Sequence, residues 1–408
     1  MRIILSLLIG FWGFVFAQSE ATIMTYNILD YTGGRTQAFD TVIDEIEPDL
    51  LVTQEMGSQA GVNAFLNILN DNGTPYAAAP YFDGPDKDMA LFYRTAVFDL
   101  VSVTRHATTL RDIYQYRVRH ILSGDTLIVF SVHLKASDGE TERQRRLQEV
   151  MVLRNVTDNL PTTANFMIVG DYNIYYSDEP AFQELIKTSR GSGYVKDPIN
   201  RLGNWHNNAS FADIFTQSTR VNGGAGSGGG VDDRFDMMLL CENLLSPGGI
   251  DYVSNSYTAY GNDGLHFNQA INNGQNGVVD TDVANALHDA SDHMPVLLKL
   301  RFGVPTGIRD GSENLPDTPQ LFDNYPNPFN PGTNIRFALP SAQDIQLNIY
   351  NARGQQVRSL ANGNYLPGNH NLFWDATNDN GERVASGVYF YQLRAGVFQQ
   401  SQKMLLIQ

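Results

Sequence analysis

The sequence predicts an α/β domain over residues 18–302 and a small all-β domain over residues 321–408. Three observations carry this division. The chain is 408 residues long, more than one ordinary domain needs. Up to Arg301, apolar runs of strand length alternate with segments of helical apolar spacing. Beyond Leu321 the helical spacing stops, and short alternating runs are separated by turn residues. With 42% hydrophobic residues, each part can bury a core.

The first 17 residues read as an export signal. Arg2 supplies the positive start, Ile3 to Phe16 the apolar run, and Val15-Phe16-Ala17 the cleavage site before Gln18. That run is short of a bilayer span, and no later stretch is long and apolar enough for one. A secreted or cell-surface location follows, and a monomer is expected. The chain has one cysteine, so no internal disulfide can form. Cys241 follows Met237-Met238-Leu239-Leu240 and reads as a buried strand residue rather than a nucleophile. Net charge is -16, and from Leu321 onward six basic residues face five acidic ones. The acidic excess therefore lies in the first domain. It argues against gripping nucleic acid by a broad basic surface. It is compatible with carboxylates that hold a cation against a phosphate.

Taken in order, Ala21 to Asn27 reads as a first strand ending in a carboxamide. Gln37 to Ile46 has helical spacing and stops at Pro48. Leu50 to Glu55 is a second strand, ending in a carboxylate, and Val62 to Leu69 a short helix. Met89 to Tyr93 and Phe98 to Thr104 read as a strand pair. Tyr114 to His120 and Thr126 to Leu134 form a hairpin about Ser123-Gly124-Asp125. His133 stands near its end, where a lone histidine is more often structural than catalytic. Thr141 to Asn159 is an amphipathic helix with Leu147, Val150, Met151 and Val156 inward. Phe166 to Val169 is a buried strand, and Ala181 to Ile186 a helix. Asn222 to Gly230 lacks the lysine of a phosphate-binding loop and reads as a flexible loop. Arg234 to Leu240 is a strand with Asp236 near its start. Gly248 to Leu287 reads as a long surface excursion; its Asp and Asn residues would suit Ca²⁺, without a fixed spacing. Ser291-Asp292-His293 leads into a last strand at Leu297.

Gly170-Asp171-Tyr172-Asn173 closes the central strand with two oxygen-bearing side chains at i and i+2. In extended backbone these point the same way, and together they suit a hard cation, a water or a phosphate oxygen. An Asx turn is the plainer alternative. Six strand edges carry such groups: Asn27, Glu55, His133, Asp171 with Asn173, Asp236, and Asp292 with His293.

These words in this order resemble the endonuclease/exonuclease/phosphatase superfamily, the deoxyribonuclease I-like fold. The carrying pieces are Thr25-Tyr26-Asn27, Thr53-Gln54-Glu55, Ser131-Val132-His133-Leu134, Gly170-Asp171-Tyr172-Asn173, Arg234-Phe235-Asp236 and Ser291-Asp292-His293-Met294-Pro295-Val296. The resemblance implies a four-layer α/β sandwich of two mainly antiparallel sheets, and phosphate-ester hydrolysis with Mg²⁺ or Mn²⁺. It implies Glu55 as the principal metal ligand, with Asn27 and Asp292 adjacent. His293, oriented by Asp236, would act as base or proton relay. Asp171 would align the nucleophile, Asn173 hold a phosphate oxygen, and His133 contact the phosphate from the other side. Arg111 would meet a flanking phosphate; a solvated surface arginine is the equal alternative. The substrate expected is DNA or RNA, with lipid or inositol phosphates as the alternative, and a non-catalytic surface adhesin as a third reading. Three departures weaken the nuclease reading: Met56-Gly57 follows Glu55 where an arginine is expected, Asp88 is the nearest acid to partner His133, and no basic and aromatic stripe is present.

Residues 303–320 read as a linker. From Thr333 to Ile407 six short strands suggest a small immunoglobulin-like sandwich. Tyr325-Pro326-Asn327-Pro328-Phe329-Asn330-Pro331, Ile349-Tyr350-Asn351, Trp374-Asp375, Ala385-Ser386-Gly387-Val388-Tyr389 and Lys403-Met404-Leu405-Leu406 make residues 321–408 similar to the type A sorting domain of type IX secretion. That resemblance implies the type IX machinery as a partner. A carbohydrate-binding or adhesive module is the alternative.

Overall fold

The computed structural model describes residues 19–84, 86–224, 226–246, 248–304, 318–324, 327–330, 332–365, 368–379 and 381–407. The export signal expected at 1–17 and most of the expected linker lie outside them. The described chain falls into two compact units, one on each side of residues 305–317.

In chain order the first unit contains β1 (Ser19–Tyr31), α1 (Thr36–Ile46), β2 (Leu50–Met56), α2 (Gln59–Leu69), β3 (Tyr76–Ala78), β4 (Asp88–Arg94), β5 (Phe98–His106), β6 (Ile113–His120), β7 (Thr126–His133), α3 (Glu140–Thr157), β8 (Asn165–Asp171) and α4 (Pro180–Ile186). It continues with β9 (Asp236–Leu240), α5 (Glu242–Leu245), β10 (Gly249–Tyr252), β11 (Thr258–Ala259), α6 (Thr281–Ala290) and β12 (Val296–Val304). One sheet has the order β10-β12-β1-β2-β4-β3, with β11 beside β12; the other runs β5-β6-β7-β8-β9. Each sheet holds one parallel pair, β1 with β2 and β7 with β8, and is otherwise antiparallel.

Strand alternation sorts the residues of β1. Ala21 and Ile23 point into the core shared by the two sheets, with Val52, Leu91, Val129, Met167 and Met238. Met24, Tyr26 and Ile28 point the other way, onto Phe39 of α1, Phe65 of α2 and Leu287 of α6. Helices thus cover the outer faces, and the four-layer sandwich stands. In each parallel pair the crossover is a helix, α1 or α3, as parallel pairing requires.

Four expectations are corrected. The strands at Met89 and Phe98 do not pair: β4 lies between β2 and β3, and β5 crosses to the second sheet beside β6. A turn closed by Val97 N donating to Arg94 O makes the crossing, and Phe98 then packs edge-on against Phe302. Met151 is exposed on α3, whereas Arg146 and Arg154 are fully buried there. Arg146 earns its burial by a two-pronged pair with Glu179, at 2.5 and 3.0 Å, plus the carbonyls of Lys135 and Ser137. The excursion at 248–287 is built into the sheet through β10 and β11, and it buries Ile271 and His266. The glycine-rich segment at 222–230 packs onto the strand-end residues, as set out below.

The second unit is an all-β sandwich. Its strands are β13 (Gln320–Leu321), β14 (Thr333–Leu339), β15 (Gln343–Asn351), β16 (Gln356–Tyr365), β17 (Gly368–Trp374), β18 (Gly387–Ala395) and β19 (Phe398–Leu406). They form sheets β13-β14-β17 and β16-β15-β18-β19 around Trp374, Phe337, Leu347, Ile349, Tyr391 and Met404. All six expected strands are present.

Candidate active site

The strand registers of the first unit bring the polar ends together. In the second sheet, His133 is aligned with Asp171, and Asp171 with Asp236, so three adjacent strands present them in a row. Gly170 makes this row possible. Its φ is +135°, and a Cβ there would sit 2.0 Å from the Val132 carbonyl oxygen, so the strands close only around a glycine. In the first sheet, Asn27 ends the regular pairing of β1 with β2, opposite Gln54. The next residue, Glu55, takes φ +60°. Asp30 N donates to Glu55 Oε2 at 3.1 Å and fixes the turned carboxylate.

Asn27 joins the two sheets. Its Nδ2 donates to Glu55 Oε1 at 3.2 Å and to Asp171 Oδ2 at 3.1 Å, while its Oδ1 accepts from Leu29 N. His133 Nε2 lies 3.4 Å from Asp171 Oδ2 and 3.8 Å from Glu55 Oε1. His293 crosses from the start of the last strand to the second sheet: its Nδ1 is 2.7 Å from Asp236 Oδ2, and its Nε2 is 3.9 Å from Asp171 Oδ2. Asn173 N donates to Asp171 Oδ1, so the Asx turn is present as well, and Asn173 Nδ2 donates to Leu134 O. Arg111 donates to Asp86 Oδ2 and to Leu134 O, and is largely buried rather than a solvated surface side chain.

Asp88 does not partner His133. Aligned with Met56 across β2 and β4, it accepts instead from Tyr81 Oη, Tyr114 Oη and Gly84 N. His133 Nδ1 is left buried with no hydrogen-bond partner. Burial, reinforced by Arg111, His293 and Lys87, holds the pKa of His133 well below the usual imidazole value. The ring is therefore neutral.

These groups line a pocket of about 410 Å³. Glu55, His133, Asp171, Asn173, Asp292 and His293 face it, with Arg111 and Lys87 at one side. Asn27 and Asp236 lie behind, fully buried. Burial pushes the Asp171 carboxyl up to about 7; His293 pulls against this, and Asp236 and Glu55 add to it. Burial raises Glu55 too, against His293 and the Asn27 hydrogen bond. For His293, burial disfavours the charged ring, yet Asp236, Asp292 and Asp171 together hold its pKa well above the usual value. The pocket thus gathers more buried negative charge than one imidazole can offset, which a cation would relieve.

The donors fit a hard divalent ion. Glu55 offers a partly open carboxylate, and Asp292 Oδ1 is a buried oxygen with no partner. Its other oxygen accepts from Ser227 N at 2.6 Å. That bond explains the glycine-rich segment: a Cβ on Gly226 would sit 2.6 Å from Asp292 Oδ2, so only glycine lets this backbone rest on the carboxylate. All-oxygen donors of this kind match Mg²⁺ or Mn²⁺. Asn27 contributes an oxygen if its carboxamide is reversed, an assignment set by hydrogen bonding alone. At the rim, ligand atoms of His206, Asp232 and Asp233 lie within 4.8 Å of one another.

Sequence reasoning missed Gln217, Lys87, Tyr175, His206 and Asp233, all of which line the pocket. Gln217 Nε2 lies 2.6 Å from His293 Nε2. None of the five sits at the end of an apolar run, so no strand pattern pointed to them.

Residues 24–293 match the model of the Endonuclease/Exonuclease/phosphatase family. Residues 326–396 match the FlgD Ig-like domain, which gives the second unit its immunoglobulin-like character. No curated protein matches the chain. Among solved structures, an endonuclease/exonuclease/phosphatase family protein from Bacteroides thetaiotaomicron is 14% identical, over 70% of this chain and 99% of that one, with TM-score 0.47. A protein of the same description from Beutenbergia cavernae is 15% identical, over 94% of this chain and 100% of that one, with TM-score 0.46. The human Nocturnin catalytic domain with bound sulfate is 16% identical, over 69% and 94%, with TM-score 0.43.

Proposed function

The chain belongs to the Endonuclease/Exonuclease/phosphatase family, and from that premise we propose that it is a secreted, divalent-metal-dependent phosphodiesterase that cuts DNA or RNA internally. One observation carries the reading. Asn27 ties Glu55 of one sheet to Asp171 of the other, beside a His293–Asp236 pair held at 2.7 Å.

In this account Glu55 and Asp292 hold Mg²⁺ or Mn²⁺, with Asn27 beside them. The ion supplies charge neutralisation at the phosphate when bound. The protein's own groups do the rest. Asp236 accepts the Nδ1 proton of His293 and fixes the ring, so that Nε2 faces the pocket to take or return a proton. Asp171 orients the attacking water. Neutral His133, with its proton on Nε2, donates to a phosphate oxygen; the unpartnered Nδ1 suits a bare nitrogen better than a buried N–H. Asn173 and Arg111, which also line the pocket, would meet the flanking phosphate oxygens.

A second reading, on lipid or inositol phosphates, draws on Met56-Gly57 following Glu55 and on the acid partners of both rim cations, Asp30 for Lys87 and Asp86 for Arg111. These leave little free positive charge for a polynucleotide backbone. The test is hydrolysis of plasmid DNA, RNA, sphingomyelin and phosphorylated inositols, each with Mg²⁺ and with chelator. Cleavage of the nucleic acids alone supports the main reading; cleavage of the lipid or inositol esters alone selects the second.

Export rests on the signal at 1–17 and on residues 321–408 acting as a type IX sorting domain, most simply as a surface or release tag. Among the described residues no helix is long and apolar enough to cross a membrane. Finding the protein in the cell interior with both ends intact would overturn this part.

A further inference from the structure

The segment Thr216–Thr219 lies between Asp236 and His293 and is stitched to both. Thr216 Oγ1 accepts from Asp236 N at 3.0 Å and from Phe235 N at 3.1 Å. Met294 N donates to Thr216 O at 2.7 Å, and Thr219 N to Asp292 O at 3.1 Å. Gln217 is pinned between them: its N donates to Asp233 O, and its O accepts from Asp232 N and Asp233 N. The backbone is thus held on both sides, and the side chain reaches the second ring nitrogen of His293, at 2.6 Å, with both residues buried.

A carboxamide suits this position in a way few other side chains do. Its N–H donates to a bare Nε2. Turned over about its last bond, its oxygen accepts from a protonated Nε2. We infer that Gln217 is a positioning residue for His293, holding the pocket-facing ring nitrogen while Asp236 holds the opposite one. The resting ring is then fixed at two points, and the carboxamide gives way at Nε2 when a water or leaving-group oxygen is bound. This rests on the reading of His293 given above.

Three variants test it, with bis(p-nitrophenyl) phosphate and Mn²⁺ as the assay. Gln217→Met keeps the volume and loses both hydrogen bonds. Gln217→Glu keeps the shape and loses the amide donor. Gln217→Asn keeps the amide but falls short. The inference expects Gln217→Met and Gln217→Glu each to lower kcat by roughly tenfold or more, as loss of an orienting partner does. KM should move less than twofold, since Gln217 is not assigned a substrate contact. Gln217→Asn should lie between these and wild type. Thermal melting within a few degrees of wild type certifies each fold. If Gln217→Met retains wild-type kcat, the side chain merely fills space and the inference fails. If kcat holds and KM rises instead, Gln217 binds substrate and the inference also fails. A wild type inactive on this ester with either Mg²⁺ or Mn²⁺ would sink the reading of His293 and this inference together.

Discussion

The two units bury different things. The second unit packs Trp374, Phe337, Leu347 and Tyr391 and, among the described residues, buries only Asn324 and Thr333 of its polar side chains. The first unit buries Asn27, His133, Asp171, Asp236, Asp292 and His293 at strand ends, and a further arginine–glutamate pair at Arg146 and Glu179. Burying ionisable groups costs stability unless they are paired. A chain that accepts this cost in one unit and avoids it in the other has placed its chemistry in the first. Among its described residues the second unit buries no Asp, Glu, His, Lys or Arg.

Substitutions in each unit test that contrast. His293→Ala should give the largest effect, lowering kcat on a phosphodiester by about 10²–10⁴-fold; it also leaves buried Asp236 without its partner, so stability falls as well. Wild-type kcat in a variant that still folds would remove His293 from the catalytic set. Glu55→Ala should shift the Mg²⁺ or Mn²⁺ activation curve to at least about tenfold higher concentration; an unshifted curve removes Glu55 from the ligand set. Arg146→Ala should cost about 3–5 kcal/mol of stability by stranding Glu179, and lower activity because the loop after His133 loses its anchor at Lys135 and Ser137. Denaturant melts of the full chain read this directly. Trp374→Ala should cost about 3–5 kcal/mol by opening a cavity in the second core, yet leave kcat and KM unchanged. Lost activity would show that the units do not divide the labour as described. Smallest of all, Met151→Ala should change stability by less than about 0.5 kcal/mol, as expected for an exposed site.

The fold was largely legible, because a strand of this kind announces itself by apolar runs that end in turns. Asn27, Glu55, His133, Asp171 and Asp236 could be found for the same reason: each stands where a run starts or stops. Gln217 could not. It sits in an irregular segment whose place is set by backbone bonds to Asp233 and Met294, partners far away in sequence. The burial of Arg146 and Arg154 leaves no mark in the local sequence, because the glutamate and carbonyls that justify burying the first lie on other segments. Met151 was misassigned for the converse reason: α3 turns Arg146, Val150 and Leu153 inward, and an apolar residue falls on the water side. The pairing of the Met89 and Phe98 strands failed because closeness along the chain does not say whether a turn stays in its sheet. Asp88 failed as a partner of His133 through register, which places it opposite Met56 and under Gly84.

The central claim is that Glu55, Asn27, Asp171, Asp292 and His293 form one metal-dependent hydrolytic centre. The most direct measurement follows Mn²⁺ binding and phosphodiester hydrolysis on the same samples of the full chain, from excess chelator to saturation. The account predicts no turnover in chelator and a rate that rises in proportion to bound ion. Turnover that persists undiminished in chelator, or an ion that binds equally well to the Glu55→Ala variant, would contradict it.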